Sequence, residues 1–133
     1  YFADLCRMQE IIFEQTGEYA KLVRFPGGSS NTVSHFNPGI MTRLTNDLND
    51  MGYAYFDWNV SAADTASDAT RYTVIENFKE SVPKHDYSVV LQHDTNAFSV
   101  DAVEEILSWG IKNGYSFRAL DLTSPAVHHS VAN

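Results

Sequence analysis

Three polar residues close three apolar runs in this chain, and these are the residues that could do chemistry. Arg24 ends "KLVR", Asp57 and Trp58 end "YAYFDW", and His93 ends "YSVVLQH". Short β-branched and aromatic runs of this kind read as buried strands, and parallel α/β architectures assemble their sites where such strands stop. A histidine there can move a proton near neutral pH. Asp57 is the natural partner for Arg24, in an ion pair able to orient other groups. Trp58 can pack a core or, at a rim, wall a sugar site. Of the five histidines, His35 and His85 fall in loops and His128 and His129 in a polar tail, where idle side chains are expected. His93 alone stands at the end of a buried strand.

The loop after Arg24, "FPGGSSN", invites comparison with phosphate cradles. It fits neither the P-loop, which needs a lysine after its second glycine run, nor the G-x-G-x-x-G dinucleotide loop. Pro26 fixes the entry of a turn, and Gly27 and Gly28 supply positive φ.

These residues need elements to position them. Phe2, Leu5, Cys6, Met8, Ile12 and Phe13 recur at helical spacing until Gly17 stops the pattern. Cys6, unable to form an internal disulfide, is expected to be a buried small hydrophobe. "NPGIMTRLTNDLNDMG" has Pro38 in its first turn and Gly52 after its end, "TRYTVIENFKES" is helical, and "SVDAVEEILSWGIKNG" is a helix with Ser99 as its cap. "YAYFDWNV" reads as one strand, "SAADTASDA" as a polar loop and "YSFRAL" as a last strand. Helices and strands therefore alternate, with parallel strands expected near 21–25, 53–57, 87–92 and 116–119 and helices packed outside them.

The chain of 133 residues is one domain's worth. Its formal net charge of -8 argues against nucleic acid or an anionic membrane as partner, since both call for clustered Lys and Arg. Eight Phe, seven Tyr and two Trp suit a core and a sugar-stacking groove. No apolar run approaches the ~18 residues of a membrane span. The first residues lie inside a helical pattern, as expected of a processed product or a fragment.

"RFP", "DW" and "LQH", in that order and each closing a strand, resemble the second half of a NodB-like polysaccharide deacetylase, carbohydrate esterase family four. Arg24-Phe25-Pro26 matches the family's Arg-x-Pro motif, Asp57-Trp58 its Asp-Trp motif and Leu91-Gln92-His93 its Leu-x-His motif. The resemblance spans about Tyr1 to Leu120, and "GGSSN" departs from the commoner aromatic-glycine continuation. It implies an α/β fold, a partial distorted (β/α) barrel of alternating helices and parallel strands. It also implies metal-assisted hydrolysis of N-acetyl groups on N-acetylglucosamine glycans such as peptidoglycan or chitin-like oligosaccharides. His93 would protonate the leaving amine, with Asp57 tuning it and fixing Arg24, and Arg24 would hold a catalytic carboxylate. Leu91 would line a pocket for the acetyl methyl group. Trp58, Phe25, Pro26 and Gly27 would contact the sugar.

The family's Thr-Phe-Asp-Asp-Gly and His-x-x-x-His motifs, which supply the base and the metal ligands, have no match here. Residues 1–133 are therefore expected to be the C-terminal portion of a single domain, with no metal ligands of their own and a divalent metal, zinc by expectation, in the complete domain. The expected partners are a glycan and either the N-terminal half or a second copy of the chain, recruited by unpaired strand edges. The resemblance implies a bacterial, extracellular or cell-surface setting. Two other readings stay open: a non-catalytic carbohydrate-binding or assembly module derived from that fold, and an unrelated open sheet in which Arg24, Asp57 and His93 lie far apart.

Overall fold

Two βαβ units in series make up most of the chain, as the computed structural model of residues 1–133 shows. In the first, β1 (Leu22–Val23) and β2 (Ala54–Tyr55) pair in parallel across the helix α2 (Ile40–Asp50). In the second, β3 (Val60–Ser61) and β4 (Val90–Leu91) pair in parallel across α3 (Arg71–Ser81). The helix α1 (Phe2–Thr16) precedes the first unit and α4 (Ala97–Lys112) follows the second. Short 3-10 turns cover Thr32–Phe36 and Val82–Lys84.

Local chemistry sets these limits. α1 stops where Gly17 turns left-handed at φ 77° and its N–H bonds to Phe13 O. α3 starts at a reciprocal cap: Thr73 N–H donates to the Thr70 hydroxyl and Thr70 N–H to that of Thr73. The N-terminus of α2 has no such local cap. Ile40 N–H bonds locally to Asn37 O, and the next two are met from far along the chain, where Asn133 accepts from Met41 N through Oδ1 (3.1 Å) and from Thr42 N through its backbone oxygen (2.8 Å).

Each unit has its own apolar core. Phe25, Met41, Leu48 and Tyr55 form one, with Phe2 and Leu5 of α1 laid against it. Val60, Ala62, Val74, Ile75, Phe78, Val82, Ala102 and Ile106 form the other, which joins α3 to α4. Phe78 and Trp109 meet edge to face at 6.0 Å across that helix pair. Arg71 and Lys79 both reach Glu105 on its rim, at 2.9 and 3.1 Å.

The structure corrects several expectations. The run "YAYFDWNV" is not one strand: Phe56–Asn59 carries the chain from the first ladder to the second, so β2 and β3 belong to different sheets. Asn59 makes this join, donating from Nδ2 to Tyr87 O and accepting Val89 N–H at Oδ1, so its amide adds a rung to the β3–β4 ladder. Residues 116–119 form no strand, because after Gly114 the segment folds back over α4 and Phe117 lies on Gly110. Ser99 is not the cap of α4. The cap position is Asn96, and Ser99 lies two residues inside the helix, fully buried. Cys6 is exposed, since α1 buries only its Phe2–Leu5 side on the first core.

Candidate active site at the strand ends

His93, two residues beyond β4, is held by a carboxylate that the sequence reading passed over. Its Nδ1 lies 2.8 Å from Asp64 Oδ1, and its backbone N–H donates to Asp64 Oδ2 at 2.6 Å. Ser99 Oγ donates to the same Oδ2 at 2.6 Å, and Asn96 Nδ2 donates to Asp64 O. Asp64 is 2% exposed. Burial alone would raise its pKa. The Ser99 hydroxyl, the ring and backbone N–H of His93 and the charge of His93 outweigh that and hold it below the usual carboxylate range. An ionised Asp64 only accepts, so the ring proton facing it sits on Nδ1, and Nε2 has no partner within the chain.

The turn that delivers Asp64 is strained. Ala63 has φ 52°, the one positive value in the chain outside glycine, and its N–H is tied to Ser61 Oγ at 3.1 Å. Non-glycine residues adopt this region at a cost and tend to do so where a neighbouring side chain must be aimed. The polar stretch 61–69 thus carries a site residue. The available signal was the pair of small residues, Ala62 and Ala63, between the end of β3 and an aspartate.

Asp57 makes other contacts. It touches neither Arg24 nor His93, contrary to the expected ion pair. Buried to 1% exposure, it accepts from Ser29 N (2.7 Å), Ser29 Oγ (2.5 Å) and His129 N (2.8 Å). Burial raises its pKa, but these hydrogen bonds and the His129 charge bring it below the usual range. Asp57 is a clamp between the glycine-serine loop and the chain's last residues.

The tail histidines are not idle either. His129 bridges Ser30 Oγ (3.0 Å) and Trp58 O (2.7 Å), and His128 stacks on Tyr55 at 3.8 Å while reaching Tyr55 O. Even His35, in the 3-10 turn, approaches Ala132 O at 3.3 Å. Gly28, at φ 78°, is required here. A Cβ on it would lie 3.0 Å from Asp57 Oδ1 and 3.1 Å from His129 Nδ1.

Arg24, Asp57, Trp58, Leu91 and Gln92 share one hollow of about 180 Å³ between the two ladders, with Val89 and Leu120 among its walls. Arg24 is exposed and forms no ion pair; its hydrogen bond runs only to Phe25 O at 3.3 Å. Its guanidinium is therefore free to take a carboxylate from elsewhere. Pro26 and Gly27 are exposed beside it, whereas Phe25 is 2% exposed and belongs to the first core, not to an open wall.

The residues present do not form a divalent-metal centre. No three His, Cys, Asp or Glu side chains cluster as ligands, and both ring nitrogens of His129 are engaged. No helix is long and apolar enough to cross a membrane.

Comparison with known proteins points the same way. No protein-family profile matches the chain. It is 29% identical over 124 residues to a peptidoglycan-N-acetylglucosamine deacetylase of Bacillus cereus, a match covering 90% of the chain and 42% of that protein. It superposes on the solved catalytic domain of a peptidoglycan N-acetylglucosamine deacetylase from Eubacterium rectale with a TM-score of 0.96 and 51% identity, covering 99% of the chain and 61% of that domain. A polysaccharide deacetylase of Bacillus cereus matches with a TM-score of 0.75 and 27% identity over 94% of the chain and 61% of its own. The chain thus spans less than two thirds of these relatives. Over that span it has the fold of part of a polysaccharide deacetylase catalytic domain, the alternating helices and parallel strands of a partial distorted barrel.

Proposed function

We propose that this chain supplies the acid half of a deacetylase site acting on N-acetylglucosamine glycans such as peptidoglycan or chitin-like oligosaccharides. The observation that carries the reading is the His93–Asp64 pair, with His93 directly following Gln92 in the chain, a wall residue of the hollow that Arg24, Trp58 and Leu91 also line. His93 gives the Nε2 proton to the leaving amine, and Asp64 holds the ring and stabilises the cation before that transfer. Arg24 binds a carboxylate from the rest of the domain, Leu91 takes the acetyl methyl group, and Trp58 packs against the sugar. Asp57 acts through the Ser29 and His129 contacts that shape the loop.

In this reading residues 1–133 are the C-terminal portion of one domain at the cell surface or outside the cell. The remainder of that domain would contribute the base and the ligands of a divalent metal, zinc in our reading, whose role when bound would be to polarise the amide carbonyl. The stripe Val100, Val103, Leu107 and Ile111, all exposed at helical spacing on α4, supports contact with that remainder or with a second copy of the chain.

Acetate release from an N-acetylglucosamine oligomer by a complete domain containing this chain tests the proposal. His93→Ala should lower kcat by roughly a hundredfold or more, the usual contribution of a general acid, with KM little changed. Equal losses in glycan affinity and turnover would instead favour a carbohydrate-binding module.

A further inference from the structure

Ser99 is fully buried, and its hydroxyl does what neither helix capping nor packing requires. As the third residue of α4 it makes no cap; its Oγ donates to Asp64 Oδ2 at 2.6 Å and has no other partner. Its backbone is fixed from two sides. Gln92, a wall of the hollow, donates from Nε2 to Ser99 O at 2.6 Å, and Ser99 N–H bonds to Asn96 O at 2.9 Å. The backbone that carries the hydroxyl is therefore anchored to the residue just after β4 and to the start of α4.

An aspartate needs such an anchor to hold a histidine. Rotation about its last side-chain bond is soft, so a carboxylate met by one donor can turn away from the ring. Here Oδ2 is occupied by His93 N and Ser99 Oγ together, which leaves Oδ1 for Nδ1. We infer that Ser99 is a positioning residue, a third member of a Ser99–Asp64–His93 relay that keeps Nδ1–H on Asp64 and leaves Nε2 unpartnered in the chain, at the position from which the proton is given to the leaving amine. Gln92, in the wall of the hollow, holds the Ser99 backbone while the Ser99 hydroxyl holds Asp64, so one residue ties the wall and the His93 ring to the same frame. The inference rests on the deacetylase reading only for its consequence in turnover; the relay is a property of the chain itself.

The test has two arms. In the 15N-labelled chain, His93 should show the Nδ1–H tautomer and a low-field Nδ1 proton. Ser99→Ala should move that proton upfield and mix the tautomers while the fold, judged by the amide spectrum, persists. Ser99→Cys keeps the volume with a weak donor and should shift the signals the same way by less, and it serves if the alanine variant does not fold. In a complete domain, Ser99→Ala should lower kcat roughly tenfold with KM within about twofold, as expected for one charge-assisted hydrogen bond acting through another residue. A His93 ring spectrum unchanged in both variants overturns the relay, whatever the domain hydrolyses, and so does an unchanged kcat. A domain that releases no acetate although the spectra respond as expected refutes the substrate reading and leaves the relay standing.

Discussion

Replacing Asp57 with asparagine removes the charge at the clamp and keeps its shape. The amide oxygen can still accept from Ser29 N, and the Ser29 hydroxyl can turn to accept from the new NH2 group. His129 N–H, now 2.8 Å from where the carboxylate stood, faces a donor and loses its partner. An unpaired buried N–H costs about 1–3 kcal/mol, and the lost charge on the other two bonds about 1 more. The expected destabilisation is about 3 kcal/mol, a large share of the roughly 5–15 kcal/mol of a typical domain. Urea titration at several pH values reads it. The Asp57 carboxyl lies below its ordinary value of 3.8 when folded, so the unfolded chain binds the extra proton first. Its stabilisation is complete above 3.8 and disappears as pH falls through the lowered folded value. Asp64 is lowered in the same direction and is present in both proteins. The gap between wild type and Asp57→Asn should therefore be widest near neutrality and shrink as pH falls below 3.8. A gap of the same size at both ends would refute the charge argument, and one below about 0.5 kcal/mol at neutrality would refute the clamp.

Gly28→Ala must hold an L side chain at φ 78° against Asp57 and His129, and a loss of about 1–3 kcal/mol is expected in thermal or urea unfolding. A neutral result would mean that the loop is free to move. Gly110→Ala places a Cβ 2.5 Å from Phe117 Cζ, so the ring, already 43% exposed, must leave α4. Because alanine favours the helix by about 1 kcal/mol, overall stability should change little while limited proteolysis opens residues 115–120. Unchanged cleavage there would show that Phe117 does not hold the segment down.

The helices were legible because their ends carry local chemistry. The apolar spacing to Gly17 gives α1 nearly to the residue, and the segments 22–23, 54–55 and 90–91 lie inside the runs read as strands. Pairing was harder. The change of ladder between Tyr55 and Val60 depends on which neighbour each strand meets, and nothing in an unbroken apolar run marks it. Residues 116–119 have a strand's composition but no partner, so composition alone misled. At the site, Arg24 directly follows β1, Leu91 ends β4 and His93 lies two residues beyond it, close to where they were read, whereas Trp58 lies in the connector between β2 and β3. The two aspartates were the difficulty. Both Asp57 and Asp64 follow apolar runs, and only the turn at Ala63 decides that Asp64 meets His93 while Asp57 turns to Ser29.

The cap that Asn133 places on α2 has a consequence in time. The donors at Met41 and Thr42 and the Ser34 hydroxyl wait for a residue 91 to 99 positions further along. At a synthesis rate of about 5–20 residues per second, that interval is roughly 5–20 s. During it, β1, α2 and β2 have all emerged, yet Met41 N, Thr42 N, the Ser29 carbonyl that Ala132 will meet and the Asp57 oxygen that His129 will meet still lack these distant partners. The first unit is thus complete in composition long before it is complete in bonding, and its last hydrogen bonds form after those of the second. Long-range closure of this kind slows folding. It also makes the finished first unit a report that residue 133 has been made.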